Sequence, residues 1–286
     1  VKGIAWALQE ADFSLTGFEG VMQGDVPIGA GLSSSAALEL AVARAFATVS
    51  DFAWNVTQMA QLAQKAENHW VGVSSGIMDQ MISAAGQAGH ALLIDCRNLA
   101  YETIPVPQNT AIVVLDTSTR RELVNSAYNE RRQECKQAAV HFGVEKLRDV
   151  TLEQFASGHA GLEETVMRRA RHVISENARV QQAKSVMSNH DAVQLGQLLN
   201  ASHASLRDDF EVSSDALNSI VSIAGQHPAC FGARMVGAGF GGCAVALVDE
   251  AQAHDFAEQV GQQYQAETTL TPAIYVCKAS DGAKAY

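Results

Sequence analysis

The chain contains no run of 18 apolar residues and no charged-then-apolar leader. It therefore offers no membrane-spanning helix and no secretion signal, and the expectation is a soluble cytoplasmic protein. Cysteine is sparse: Cys96, Cys135, Cys230, Cys243 and Cys277 are odd in number, widely spaced and form no C-x-x-C pair. That argues against a disulfide framework or a structural zinc site. Basic residues are also few, 20 Lys and Arg against 31 Asp and Glu, for a formal net charge of −11. An acidic surface repels phosphate backbones, which argues against nucleic acid as a partner. A small phosphate ligand stays possible, because local backbone dipoles can hold one against the net charge. No Gly-Lys-Ser/Thr occurs anywhere, so there is no Walker A loop. No H-R-D or D-F-G triplet occurs either, which removes the protein kinases.

What the chain does have is enough apolar surface, 47% of its 286 residues, for a large core. At roughly 150 residues per domain that suggests about two domains. Repeats, low-complexity tracts and long linkers are missing. Val1 is not a methionine, and Lys2 to Leu8 has the pattern of the middle of an amphipathic helix with no cap before it. The expectation from this is an upstream segment that the chain lacks. Phe13 to Gln23 has β-type composition and runs into a Gly/Pro-rich loop. Helices are expected at Ala36–Val49, Thr57–Trp70 and Ile77–Ala85, then strands at Ala91–Asp95 and Ala111–Asp116. Pro105 and Pro107 mark the expected domain boundary, giving domains 1–107 and 108–286. Three further helices (Arg121–His141, Leu162–Met187, Ala192–Arg207) and two strands (Cys243–Val248, Ala273–Lys278) complete the expectation.

The strongest local signal is Pro27-Ile-Gly-Ala-Gly-Leu-Ser-Ser-Ser-Ala-Ala37. Gly29 and Gly31 allow a tight turn and close approach to a ligand. Ser33, Ser34 and Ser35 follow where a helix begins, and the free N–H groups there form an anion site. One serine would serve as a cap, but three behind Gly-x-Gly are more than capping needs. Pro27, Gly29, Ala30, Gly31, Leu32, Ser33, Ser34, Ser35 and Ala36 are therefore the candidate ATP- and phosphate-binding residues. Without a lysine, the charge on a triphosphate falls to backbone dipoles and a metal ion. Gly237-Ala-Gly-Phe-Gly-Gly242 matches G-x-G-x-x-G, yet a strand follows it instead of a helix, so a dinucleotide fold is not implied. Gly237, Gly239 and Gly241 are equally readable as a close packing turn or as support for a phosphate loop. The nine histidines show no metal-ligand spacing.

Pro27 to Ala37, Gly76-Ile-Met-Asp-Gln80 and Arg234-Met-Val-Gly-Ala-Gly-Phe-Gly-Gly-Cys243, in this order, resemble the GHMP small-molecule kinases. The branch that phosphorylates galactose resembles it most closely. The likeness extends through Gly89 to Arg97, Asn125 to Cys135 and His172 to Asn177, and so covers essentially the whole chain. It implies a mixed α/β (α+β) fold of two domains with ATP and sugar in the cleft between them. The first would be like domain 2 of ribosomal protein S5 and the second ferredoxin-like. It implies ATP-dependent phosphorylation of galactose to galactose 1-phosphate, with sugar and ATP as the partners and neither nucleic acid nor membrane.

Asp79 stands in the first turn of its helix, where the dipole favours an ionised carboxylate. The resemblance makes it the catalytic carboxylate that takes or orients the proton of the acceptor hydroxyl. Ser35 and Glu67 look like the Mg²⁺ ligands by the same likeness, a hydroxyl and a carboxylate suiting a hard ion. On residue type alone, Glu67 is a solvated surface glutamate placed unfavourably near a helix end. Gly76, Asp79 and Tyr128 are the implied sugar contacts, while Arg131 and Arg132 are readable as phosphate contacts or as helix salt bridges.

The chain departs from the family pattern in three places. The N-terminal G-R-x-N-L-I-G-E-H-x-D-Y motif is not in it, which removes an arginine and several sugar ligands and leads to the expectation of an impaired kinase. Ser74-Ser75 stands where Pro-Cys is usual, and Ala238 replaces the commoner glycine. The rival readings are another GHMP acceptor (N-acetylgalactosamine, arabinose or a non-sugar alcohol) and a non-catalytic ligand-binding fragment or sensor.

Overall fold

The computed structural model describes residues 1–27, 32–72, 75–119 and 124–286, without the side chains of 124–126. The chain forms two compact units. Val1–Val106 together with Lys278–Tyr286 make the first, and Pro107–Cys277 make the second.

In the first unit, helices α1 (Lys2–Gln9), α2 (Ser34–Val49), α3 (Val56–Lys65) and α4 (Met78–Ala85) bury Leu8, Leu40, Met59 and Met81 in one core. A hairpin of β1 (His90–Ile94) and β2 (Tyr101–Pro105) pairs antiparallel, His90 opposite Pro105 and Ile94 opposite Tyr101. The sequence pattern misses β2, which ends at Pro105 just before the expected boundary, where the two units do divide. Phe13 to Gln23, expected as a strand, forms no regular element. A strand needs a partner for its backbone groups, and no described strand pairs with this segment. It is held by its rings instead: Phe13 lies 4.5 Å from Phe52 and Phe18 lies 5.1 Å from Phe46, centroid to centroid.

The expected second domain ran unbroken to residue 286, but its last stretch belongs to the first unit. Gly282 N–H donates to the Gly86 carbonyl at 2.8 Å, and Ala283 N–H to that of Ser83 at 2.8 Å. A Cβ at Gly282 would lie 2.9 Å from the Ala84 carbonyl and the Gly86 nitrogen, so this close return needs glycine. The second unit therefore lies, in chain order, within the first.

That second unit runs β3 (Thr110–Asp116), helices α5 (Val124–His141), α6 (Leu152–Gly158), α7 (Glu164–Ser188), α8 (Ala192–Asp208) and α9 (Asp215–Gln226), then β4 (Cys230–Met235), β5 (Cys243–Asp249), α10 (Ala253–Thr268) and β6 (Ala273–Cys277). The strands form an antiparallel sheet in the order β4-β5-β3-β6. A strand, helices, two strands, a helix and a strand, paired in this way, is the ferredoxin-like arrangement expected from the family resemblance. The core between the sheet and α9 and α10 contains Val113, Leu115, Leu217, Ile220, Phe256 and Tyr264. A second apolar cluster, with Ala138, Phe155, Ala170 and Ile174, joins α5, α6 and α7. Among the described residues no helix is long and apolar enough to cross a membrane.

Candidate active site

Residues 29–31 and Ser74 lie outside the described residues, so the structure places Pro27 and Leu32 to Ala36 from the loop. Helix α2 begins at Ser34, and the residue before it, Ser33, has φ 59° and ψ 31°, the left-handed region. That conformation costs a non-glycine residue about 1–2 kcal/mol and is concentrated at functional sites. The Ser33 side chain makes no capping hydrogen bond. Serine is a preferred cap, yet here the hydroxyl leaves the first backbone N–H groups of α2 unserved by its side chain, as an anion site requires.

Glu67 departs from the plain reading of its residue type. Helix α3 ends at Lys65, and Ala66–Val71 continues as a π-helical turn in which Gly72 N–H donates to the Glu67 carbonyl at 3.0 Å. Single π turns are rare and frequently mark functional positions. The turn carries Glu67 inward, and the residue is only 9% exposed. Its carboxylate is divided between two sides. Oε1 accepts from Ser35 Oγ at 2.8 Å. Oε2 accepts from Ser75 Oγ at 2.9 Å and from Gln80 Nε2 at 2.6 Å. The Gln80 amide also donates to Glu39 Oε2 at 3.2 Å. Burial is the main reason the Glu39 carboxyl is pushed up to about 7; the Gln80 hydrogen bond pulls it back and the Glu67 charge adds to the rise. Asn68 and Gln64 fix the turn between α3 and α4: Ser75 N–H donates to Asn68 Oδ1 and Gln64 Nε2 to the Ser75 carbonyl, both at 3.0 Å.

This arrangement suits a small hard cation. Glu67 Oε1 and Ser35 Oγ, hydrogen-bonded to each other, are the oxygen pair that Ser75 and Gln80 do not engage, and magnesium takes oxygen ligands almost exclusively. No group of three or more His, Cys, Asp or Glu that could hold a metal occurs among the described residues. An ion here would therefore complete its shell from nucleotide phosphates and water, the usual pattern at phosphoryl-transfer sites. Asp79 is half-buried in the first turn of α4, one residue before the fully buried Gln80. Gly76 is exposed with open space around it, so its backbone is accessible.

The remaining sequence candidates lie in the second unit. Tyr128 on α5 is 52% exposed. Arg131 is held by the fold: it donates to the Phe210 carbonyl at 2.6 Å and pairs with Glu134 at 3.2 Å. Gly237, Gly239 and Gly241 sit in a turn between β4 and β5, all with positive φ. A Cβ on Gly239 would fall 2.0 Å from the Val212 oxygen, so packing alone accounts for glycine there.

Sequence reasoning missed Glu39, Ser75 and Gln80. Glu39 had a signal, since it lies one helical turn from Ser35 and so on the same face.

A profile of the GHMP kinases N terminal domain matches residues 1–87, and one of the GHMP kinases C terminal region matches residues 182–266. The chain belongs to the GHMP kinase family. The relationship is narrower than that. A galactokinase of Roseiflexus sp. (strain RS-1) is 46% identical over 287 residues, covering 99% of this chain and 73% of that protein. The crystal structure of Lactococcus lactis galactokinase complexed with galactose superposes with a TM-score of 0.88 at 35% identity, over 99% of this chain and 75% of that one. L. major mevalonate kinase in complex with R-mevalonate matches with a TM-score of 0.62 at 19% identity, over 99% and 77%. That likeness shows the fold alone.

Proposed function

We propose that this chain transfers the γ-phosphoryl group of ATP to the anomeric hydroxyl of galactose, giving galactose 1-phosphate and ADP. The observation that carries the reading is the 2.8 Å hydrogen bond between Ser35 and Glu67. It joins the start of the phosphate-binding helix to a buried carboxylate that no lysine or arginine of the described residues neutralises.

In this reading, Pro27 and residues 29–36 receive the triphosphate, and the free N–H groups at the start of α2 bind its oxygens. Ser35 and Glu67 hold Mg²⁺, which when bound offsets phosphate charge. Gly76, through its backbone, and Tyr128 contact the sugar. Gly237, Gly239 and Gly241 take the phosphate-loop supporting role that the family resemblance implies for them. Asp79 accepts the proton of the acceptor hydroxyl as its oxygen bonds to the γ-phosphorus and the bond to the β–γ bridging oxygen breaks. Since phosphoryl transfer depends chiefly on positioning and charge stabilisation, the base contributes about 10²–10⁴-fold.

The test measures ADP release with galactose, N-acetylgalactosamine, arabinose and a non-sugar alcohol as acceptors. Galactose should be preferred, and Asp79→Asn should lower turnover about 10²–10⁴-fold with nucleotide affinity little changed. Preference for another acceptor overturns the substrate assignment, and near-normal turnover in the variant overturns the role of Asp79.

A further inference from the structure

The Ser35–Glu67 pair leaves one neighbour unexplained. Gln80 is completely buried, with 0% exposure. Its Nε2 reaches a carboxylate in each of two directions, Glu67 Oε2 at 2.6 Å and Glu39 Oε2 at 3.2 Å. Its Oε1 is buried with no hydrogen-bond partner. Buried polar atoms are nearly always partnered, so this residue keeps an unfavourable oxygen in exchange for where its donors point. Turning the amide over would set Oε1 against two carboxylates, and a residue needed only for volume would be apolar, as Met81 and Ala84 of the same helix are. The amide is present for its two N–H groups.

Those groups determine how the Glu67 carboxylate is presented. A glutamate side chain has a soft terminal torsion, and only contacts fix which oxygen faces which way. Gln80 and Ser75 together occupy Oε2, so Oε1 is the oxygen turned to Ser35. Glu39, on α2 one turn past Ser35, anchors Gln80 from its other hydrogen. Resting on the reading of Ser35 and Glu67 as the ion's ligands, we propose that Gln80 is a positioning residue for the magnesium site. It locks the Glu67 carboxylate with Oε1 toward Ser35, and Glu39 in turn locks Gln80. Groups that hold a ligand through its outer atoms typically change metal affinity by 10–100-fold when removed.

The experiment measures, by calorimetry, the Mg²⁺ concentration that half-maximally tightens ATP binding, with Mn²⁺ binding to the ATP complex followed by electron paramagnetic resonance. Gln80→Leu keeps the volume and removes the donors. It should raise the required Mg²⁺ about 10–100-fold and leave ATP affinity in chelator unchanged. Glu39→Ala should shift it the same way by less, and Glu39→Gln, which keeps an acceptor oxygen, should restore the parent value. Should Gln80→Leu fail to fold, the two Glu39 variants decide. A parent-like Mg²⁺ requirement in Gln80→Leu and Glu39→Ala, while Ser35→Ala raises it, overturns the positioning role alone. A parent-like requirement in Ser35→Ala and Glu67→Gln as well overturns the ligand reading and the proposal with it.

Discussion

Carboxylates that contact buried polar side chains are met in opposite ways in the two units. In the second, arginines meet them. Arg169, 2% exposed, donates to Glu134 at 3.0 Å and to Glu211 at 2.5 Å, and also to the Asp209 carbonyl at 2.6 Å. Glu176 receives Arg179 at 2.7 Å and Arg234 at 3.0 Å, with Ser202 donating to it as well. In the first, Glu67 and Glu39 are contacted by a serine pair and an amide, all neutral. A buried charge without a counter-ion is costly unless something else neutralises it. The second unit completes its electrostatics internally, as a scaffold does. The first leaves a carboxylate beside a helix start, and the divalent cation and triphosphate of the proposed reading would satisfy both.

The contrast can be broken most forcefully at Arg169. Replacing it with methionine takes one of two arginine partners from Glu134 and from Glu211, and loss of one partner from a buried pair typically costs about 3–5 kcal/mol. Urea unfolding of Arg169→Met should show a loss toward the lower end of that range, because Glu211 is 41% exposed and Arg131 and Arg168 remain nearby. A loss below about 1 kcal/mol would mean that the arginine network does not hold the second unit together.

The pH dependence of stability comes next in size. Burial lowers His172 and His203 from 6.5 to about 4 in the folded chain. His203 Nδ1 accepts the Met235 N–H at 3.3 Å, a bond that protonation removes, and the His172 ring stacks on Phe210 at 4.5 Å. Each ring therefore contributes stability that is present above 6.5 and lost as pH falls through 4, on the order of 2 kcal/mol apiece. Glu39, raised from 4.5 to about 7, has the opposite sign: its contribution is complete below 4.5 and lost as pH rises through 7. Hydrogen exchange followed residue by residue between pH 4 and 8 should show the second unit loosening in acid. The region around α2 and α4 should instead loosen toward alkali, and Glu39→Gln should flatten that second slope. Parallel slopes in the two regions would contradict the contrast.

The smallest effect on stability belongs to Glu67→Gln. The amide can keep an acceptor toward Ser75 and Gln80 while the charge is gone, so stability should change by no more than about 1 kcal/mol. Thermal melting would measure this, and the same variant should lose the Mg²⁺ dependence of ATP binding. A large loss of stability would place Glu67 with the scaffold carboxylates of the second unit.

Much of this was legible before any coordinates. The start of α2 followed from serine chemistry, and the apolar runs at Ala111–Asp116 and Cys243–Val248 became central strands of a sheet. Strand β4 was not legible: Gly232 interrupts its pattern, and the reason lies in packing, since a Cβ there would fall 2.0 Å from the Gly196 carbonyl of α8. Helices α9 and α10 were overlooked although their apolar faces are regular. The inward turn of Glu67 was hidden because a π-helical residue shifts every later side chain around the axis, away from the 3.6 period. Gln80 was hidden for another reason. Its partners lie 13 and 41 residues away in sequence, and nothing local distinguishes a buried amide from a surface one.

The return of Lys278–Tyr286 to the first unit sets an order on how the protein is made. Translation delivers α1 to β2 before the second unit, and the residues that hydrogen-bond to Ser83 and Gly86 after it. Domains tend to fold as they emerge. The first unit, which contains α2, can therefore complete its packing only after the second unit has been made.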